Sequence, residues 1–370
     1  MAEKRGSSTG TKRTSKGTGE ERDGVPLTNL DQELFPGAGA TKRDLVDYLD
    51  VMSSRLIPVL RDRPLSVIRV LPKHGRQEKP GQQEKPGQQE KPGGQDKFMQ
   101  KNLPKYTPDW VPRTSIWADA SHREVVYALG NDRRTLIWFG NQRAVEYHPG
   151  LTLAGSHHPT HLIMDLDPPE DQESPITGFR LAVQAARLVR QVLADAGMTG
   201  AVKTSGSKGV HVFVPLAPET APEDVAAAQR AVAARAERLD PGLATTAFIR
   251  EDRHGKVFLD ATRAGGATVA AAYSPRIRPG VPVSFPVGWA DLDDVAPGDF
   301  TLHTVPGLLG DRDPWADALP APQPLEKGLV EEGHTIPVAR VQAMHEGKRR
   351  ARAQREAEST RQQEDRPLQG

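Results

Sequence analysis

Apolar residues recur along this chain with two periods, and the period separates helix from strand. After Thr41, a residue able to cap a helix, Leu45, Leu49, Met52 and Leu56 fall on one helical face. That spacing predicts a helix running to about Ile57 and stopping near Pro58. Leu65–Leu71 reads as a strand, with β-branched Val67, Ile68 and Val70. Val125–Ala128 and Leu136–Phe139 are short strand candidates, and Thr160–Asp167 is a strand with an acidic end. Ile176–Ala196 repeats Phe179, Val183, Ala186, Val189 and Leu193 before Gly197, a natural C-cap. His211–Leu216 and Lys256–Asp260 read as strands, and Pro222–Leu239 as an Ala-rich helix with Pro, Glu and Asp in its first turn. This alternation predicts an α/β or mixed α+β catalytic core.

The pattern fades in three places. Residues 1–24 are Ser, Thr, Gly and charge, too polar to offset their ordering entropy, and read as a disordered basic tail. Residues 78–95 repeat EKPGQQ, EKPGQQ, EKPGGQ, in which Pro and Gly deny a helix or a ladder. They read as an expanded loop between two strands. From Ala316 the apolar content drops, and residues 316–370 read as a charged tail. One catalytic domain, residues 25–315, lies between.

Composition narrows the function classes. Of 370 residues 26% are charged, and no apolar run approaches the roughly 18 residues a membrane span needs. The N-terminus lacks the apolar segment of a secretory signal, so a cytoplasmic protein with no membrane partner is expected. There is no cysteine, which excludes disulfides, thiolate metal sites and a cysteine nucleophile. Forty-nine basic and 48 acidic residues leave a net charge of +1, so any nucleic-acid footprint must be local.

The sharpest chemical signal is HLIMDLDPPE, residues 161–170. Side chains two apart on a strand share a face, so Asp165 and Asp167 converge. Two such carboxylates stay ionised together only with a cation between them, and carboxylate oxygen suits Mg²⁺ or Mn²⁺. In KTSGSKGVHVFVPL, residues 203–216, Ser205, Gly206, Ser207, Lys208 and Gly209 form a tight basic turn beside His211, suited to a triphosphate. GKVFLDATR brings a third strand-end acid, Asp260, the count expected of a two-metal phosphoryl-transfer site. AAYSPRIRPG adds Arg276 and Arg278, matched to phosphate oxygens. His157, His158 and His161 resemble a zinc cluster, but flanking Gly, Ser and Pro put two of them in a loop, and they are set aside as ligands. No KxDG of the kind that carries adenylate in nucleic-acid ligases occurs.

Taken in order, these blocks resemble the polymerase domain of the bacterial end-joining ligase LigD, within the archaeo-eukaryotic primase superfamily. The likeness runs from about Val25 to Trp315 and includes LTNLDQELFPGAGATKRDLVDY, FMQKNLPKYTPDWVP and IWFGNQRAVEYHPG. It implies a mixed α/β primase core whose RRM-like antiparallel sheet carries the acids. It implies addition of ribo- or deoxyribonucleotides to a primer at gaps or breaks, with two Mn²⁺ or Mg²⁺ ions on Asp165, Asp167 and Asp260. Ser205, Lys208, His211, Arg276, Lys101 and His148 match the nucleotide site. Lys42, Phe98 and Gln32 match the DNA contacts. Partners implied are 5′-phosphorylated DNA ends, NTP or dNTP, Ku and a separate ligase. The chain departs from the family where Gln32 replaces a phosphate-binding Lys and Met99 replaces one of two aromatics. The competing reading is a catalytically weak end-binding scaffold that recruits Ku and a ligase.

Overall fold

The computed structural model describes residues 19–71, 97–118, 122–170, 172–263 and 268–338. The hexad repeat, the first 18 residues and residues 339–370 lie outside the described residues. Asp23 and Gly24 adopt left-handed φ of 48° and 72° and turn β1 (Glu21–Arg22) back onto β2 (Val25–Pro26). Asp-Gly is the dipeptide such a turn favours. The disordered tail expected over residues 1–24 is therefore corrected at 19–24.

Helix α1 (Lys42–Val51) begins at Thr41, which forms a reciprocal cap with Asp44. It gives way at Met52 to a separate helix, α2 (Ser53–Leu60), which contains Pro58 instead of ending before it. The proline frees only the carbonyl of Ser54, an exposed residue near the helix start. Strand β3 (Pro64–Val70) pairs antiparallel with β4 (Lys97–Gln100), so two strands do flank the repeat. β5 (Arg113–Ala118) and β6 (Arg123–Leu129) form a hairpin, followed by α3 (Arg133–Asn141) and β7 (Ala144–Pro149). Leu136–Phe139, expected as a strand, is thus helical. Asp132 caps the helix through the Thr135 N–H, and all four apolar residues are buried. A short run buried all round carries no period to tell helix from strand.

The first sheet has the order β4-β3-β6-β5, with β7 also on β3. The second holds β8 (His161–Asp167), β9 (Ala201–Thr204), β10 (Val210–Pro215), β11 (Ala244–Thr245), β12 (Val257–Asp260) and β13 (Pro286–Val287). Its order is β11-β12-β8-β10-β9-β13, antiparallel except between β11 and β12. Helices α4 (Pro175–Asp195) and α5 (Pro222–Leu239) pack on one face of this sheet. That face is built from Leu162, Met164, Leu166, Val210, Val212 and Val214, all fully buried. Alternation sends His161, Ile163, Asp165 and Asp167 of β8, and His211 and Phe213 of β10, to the other face. The fold is the mixed α/β architecture with antiparallel sheets that the sequence implied.

Beyond residue 300 come α6 (Val305–Leu309), α7 (Pro314–Ala318) and α8 (Lys327–Thr335). α8 lies along α5, where Arg235 Nε and Arg238 Nη2 donate to Glu332 at 2.6 and 2.7 Å. Gly333 permits the close approach, since a Cβ there would meet the Ala227 carbonyl oxygen at 1.9 Å. The charged tail expected from Ala316 is corrected accordingly for residues 316–338. Few apolar residues suffice there because the helix leans on an existing surface.

Candidate active site

The register of four strands aligns four chemical groups in one row. Asp260 of β12 stands opposite Asp165 of β8, Asp165 opposite His211 of β10, and His211 opposite Lys203 of β9. Directly opposed residues have neighbouring Cβ atoms, so the row is contiguous. Asp167 lies one step along β8 on the same face. Asp165 and His211 of this row, with Asp167, line a cleft of about 540 Å³.

Asp165 is buried and heavily contacted. His211 Nε2 lies 3.2 Å from its Oδ1, and Arg263 donates to its Oδ2 at 2.6 Å. Arg263 also lies 3.0 Å from Asp260 Oδ2, while Asp260 Oδ1 accepts from the Thr262 hydroxyl at 2.6 Å. Burial opposes ionisation of Asp165, but His211, Arg263 and Lys203 outweigh it and hold its carboxyl far below the usual range. Asp167 goes the other way. Crowding by the cleft wall, then the charges of Asp165 and Asp260, push its carboxyl up to about 7, although its residue is open to solvent at the strand end.

Asp165, Asp167 and Asp260 offer carboxylate oxygens, the donor type a divalent cation takes. Arg263 bridges two of the carboxylates, and its own Nε is buried without a partner. Among the described residues no three His, Asp or Glu side chains close into a ligand geometry around one point, His157, His158 and His161 included.

The remaining expected residues divide. Ser205 Oγ is turned inward and accepts the N–H groups of Ser207 and Gly209 at 3.2 and 3.0 Å. Gly209 is forced, because a Cβ there would stand 2.1 Å from the Leu166 carbonyl. Lys208 is exposed at the cleft wall, and Arg276 and Arg278 line it. Arg276 is braced by the Ser205 carbonyl and by Glu146, 3.0 Å from its Nε. His148, also lining the cleft, meets Glu146 Oε2 at 2.9 Å. Glu146 is thus the buried anion that aims two site residues. Burial resists its ionisation, but His148 and Arg276 overcome that and hold it ionised.

Lys101 is exposed just beyond β4 and does not line the cleft. Nor does Phe98, which is half-exposed, whereas Met99 does. Alternation along β4 turns these neighbours to opposite faces. Lys42 and Gln32 sit apart from the cleft. The Lys42 ammonium is buried and donates to the Thr28 carbonyl. Burial, then nearby Arg143, lower it to about 8. Gln32 Oε1 accepts from Arg143 Nη1 at 3.2 Å.

Sequence reasoning passed over Lys203, Glu146, Arg143 and Arg263. Lys203 opened a motif already singled out, and Arg263 sits three residues after Asp260, so both were within reach. Arg143 reaches partners more than 100 residues away, and Glu146 joins its neighbour His148 to Arg276 and Ile277, both more than 100 residues away.

Paired acids at one strand end, a third directly opposite and a cationic cleft beside them make an arrangement able to support phosphoryl transfer on an antiparallel sheet. The family model described as LigD, primase-polymerase domain, matches residues 41–315, and the chain belongs to that family. It is 32% identical over 284 residues to the bifunctional non-homologous end joining protein LigD of Bacillus subtilis, covering 76% of this chain and 42% of that one. To the multifunctional non-homologous end joining protein LigD of Mycobacterium bovis it is 31% identical over 286 residues, covering 74% and 34%. The chain therefore spans less than half of these relatives. The solved polymerase domain from Mycobacterium tuberculosis ligase D, in complex with DNA, matches with a TM-score of 0.65 and 29% identity. That match covers 81% of this chain and 98% of that one.

Proposed function

We propose that this chain is a DNA-dependent nucleotidyltransferase that extends a primer 3′ end at gaps or double-strand breaks, using ribo- or deoxyribonucleoside triphosphates. The observation that carries it is the pair Asp165 and Asp167, with Asp260 directly opposite Asp165, at a cleft lined by seven Lys or Arg side chains against the three carboxylates of Asp165, Asp167 and Glu170. Such a surplus of positive charge suits a triphosphate and a nucleic-acid backbone.

The primer hydroxyl attacks the α-phosphate in line and pyrophosphate leaves. Asp165, Asp167 and Asp260 would hold two Mn²⁺ or Mg²⁺ ions, which activate the hydroxyl and neutralise charge on the leaving phosphates. Lys208, Arg276 and Arg278 bind and orient the triphosphate, with Arg276 held in place by Glu146. His148 and Met99 line the same cleft and bound the nucleotide. Lys42 and Arg143, beside the N-terminus of α1, are assigned to a 5′-phosphate at the DNA end. Polymerisation rather than sealing is assigned to these residues, since no KxDG lysine is present. Ku and a separate ligase would be the partners of that step. Among the described residues no helix is long and apolar enough to cross a membrane.

The test is primer extension on gapped, 5′-phosphorylated duplex with rNTPs and dNTPs in Mn²⁺ and in Mg²⁺. Asp165→Asn and Asp167→Asn are each expected to abolish incorporation and to leave DNA binding intact. Near-normal extension by either variant would remove these acids from the chemistry. Binding by the wild-type chain without incorporation would make it an end-binding scaffold.

A further inference from the structure

At the end of the β8–β10 face away from the acids, His161 and Ile163 of β8 and Phe213 of β10 line a second cavity, of about 180 Å³. Val59, Leu151, Leu319 and the segment 269–272 complete its apolar walls, and Ala271 and Ala272 are too short to fill it. Three rings meet there edge to face. The centroids of His161 and Phe213 are 5.8 Å apart, and those of Phe213 and Trp315 are 5.2 Å apart. The guanidinium groups of Arg55 and Arg63 line the same cavity. Arg63 donates to the carbonyls of Gly150 and Leu151 and to Thr160 Oγ1, at 3.3, 3.2 and 2.7 Å. Arg55 donates to the Arg312 carbonyl at 2.8 Å and to that of Gly310. All these partners are neutral, and among the described residues neither arginine has a carboxylate partner. A cation drawn out of water is ordinarily paired. Burial lowers Arg63 to about 10, so it stays charged at neutral pH. The carboxylate of Asp313 also lines the cavity, but it accepts from the Tyr273 hydroxyl at 2.6 Å and the Ala316 N–H at 3.2 Å. Two guanidinium groups against one carboxylate leave a surplus of one positive charge. His161, held neutral by burial and then by Arg63, adds none.

We propose that this cavity is a second ligand site, which takes a small planar aromatic monocarboxylate with its ring among His161, Phe213 and Trp315 and its carboxylate toward Arg55 and Arg63. Size, shape and charge agree on that class. A cavity of about 150 Å³ accepts benzene, so this one admits one ring with a small substituent. Edge-to-face rings and aliphatic walls favour a flat aromatic guest over a sugar or a peptide. A guanidinium group matches the two oxygens of a carboxylate, and the single surplus charge selects a monoanion. The site is separate from the acids of the catalytic cleft, although Val269 lines both. The proposal does not depend on the catalytic assignment.

The experiment follows the indole ¹H–¹⁵N signals of the full ¹⁵N-labelled chain during titration with sodium benzoate, at constant ionic strength. The Trp315 signal is assigned by its loss in Trp315→Phe. Benzyl alcohol, the same ring without the charge, is the matched probe. Benzoate is expected to shift the Trp315 signal saturably with a Kd of about 1 mM or tighter. Benzyl alcohol is expected to bind about tenfold more weakly. Arg63→Met should bring benzoate to the level of benzyl alcohol. Ala316→Phe, at an exposed position on the cavity wall, should abolish the response to both probes. No saturable shift at Trp315, a saturable shift confined to other tryptophans, or equal affinity for the two probes in the wild-type chain would overturn the proposal. So would a response to benzoate left unchanged by Ala316→Phe. Should Arg63→Met not fold, the wild-type comparison of the two probes decides alone.

Discussion

At the scale of single residues, the substitution of Gln32 for a lysine looks like a lost phosphate contact, and its surroundings change that reading. Arg143 reaches Gln32 Oε1 and the carbonyls of Glu33 and Leu34, and it does so from a left-handed φ of 59°. Among the described residues neither Arg143 nor Lys42 has a carboxylate partner. Two unpaired cations at a helix start favour a doubly charged anion. Binding to matched gaps with and without a 5′-phosphate, at one salt concentration, should therefore show a clear preference. Lys42→Ala and Arg143→Ala should each narrow it, and Gln32→Lys should widen it. An unchanged ratio in all three would place phosphate recognition elsewhere. Titration gives a second residue-scale prediction. Burial, then Arg63, push His161 down to about 3, and burial, then Lys203, push His211 down to about 4. Unfolded histidine titrates near 6.5, so below that pH the unfolded chain takes up protons the folded chain refuses. Stability from these rings is thus complete above about pH 6.5 and is lost as pH falls toward 4. Urea unfolding between pH 7 and pH 5 should show the decline, and His161→Asn should reduce its slope by about one proton. An equal slope in wild type and variant would mean that His161 is protonated in the fold.

At the scale of elements, most of what positions the site was legible, because it rests on local periodicity. The i, i+2 spacing of Asp165 and Asp167 specified a shared face on β8, and the acid at the end of Val257–Asp260 marked another strand. What the chain order could not give was register. That Asp260, Asp165, His211 and Lys203 form one row depends on how β12, β8, β10 and β9 slide past each other, and a shift of one residue would turn each set to the opposite face. Helix α3 was missed because its buried run has no polar side, and α8 because it borrows its core from α5. That borrowing yields a prediction. A side chain at 333 must push α8 off the Ala227 backbone, and overpacking of this kind costs about 1–3 kcal/mol. Gly333→Ala should lower the melting temperature by roughly 5 °C while the extension rate at 25 °C stays unchanged. An unaltered melting temperature would mean that α8 is not part of the cooperative unit.

At the scale of the whole molecule, a net charge of +1 offers a polyanion almost no overall attraction. Charge far from a bound strand is also screened beyond about 8 Å at physiological ionic strength. Affinity must therefore come from where the cations are gathered, and the cleft gathers seven of them against three carboxylates among the described residues. Lys208 and Lys256 stand there without a carboxylate partner among the described residues. Arg187, by contrast, is on α4, which covers the opposite face of the sheet, and it pairs with Asp293. Each phosphate contact releases counterions and steepens the fall of affinity with salt, by about 0.7–0.9 in the logarithmic slope. Binding of gapped duplex across a salt series should therefore lose about 1.4–1.8 from that slope in the Lys208→Ala, Lys256→Ala double variant. Arg187→Ala should leave it as it was. Equal slopes in the double variant and the wild type would mean that the nucleic acid does not enter this cleft, and the cations there would then serve the triphosphate alone.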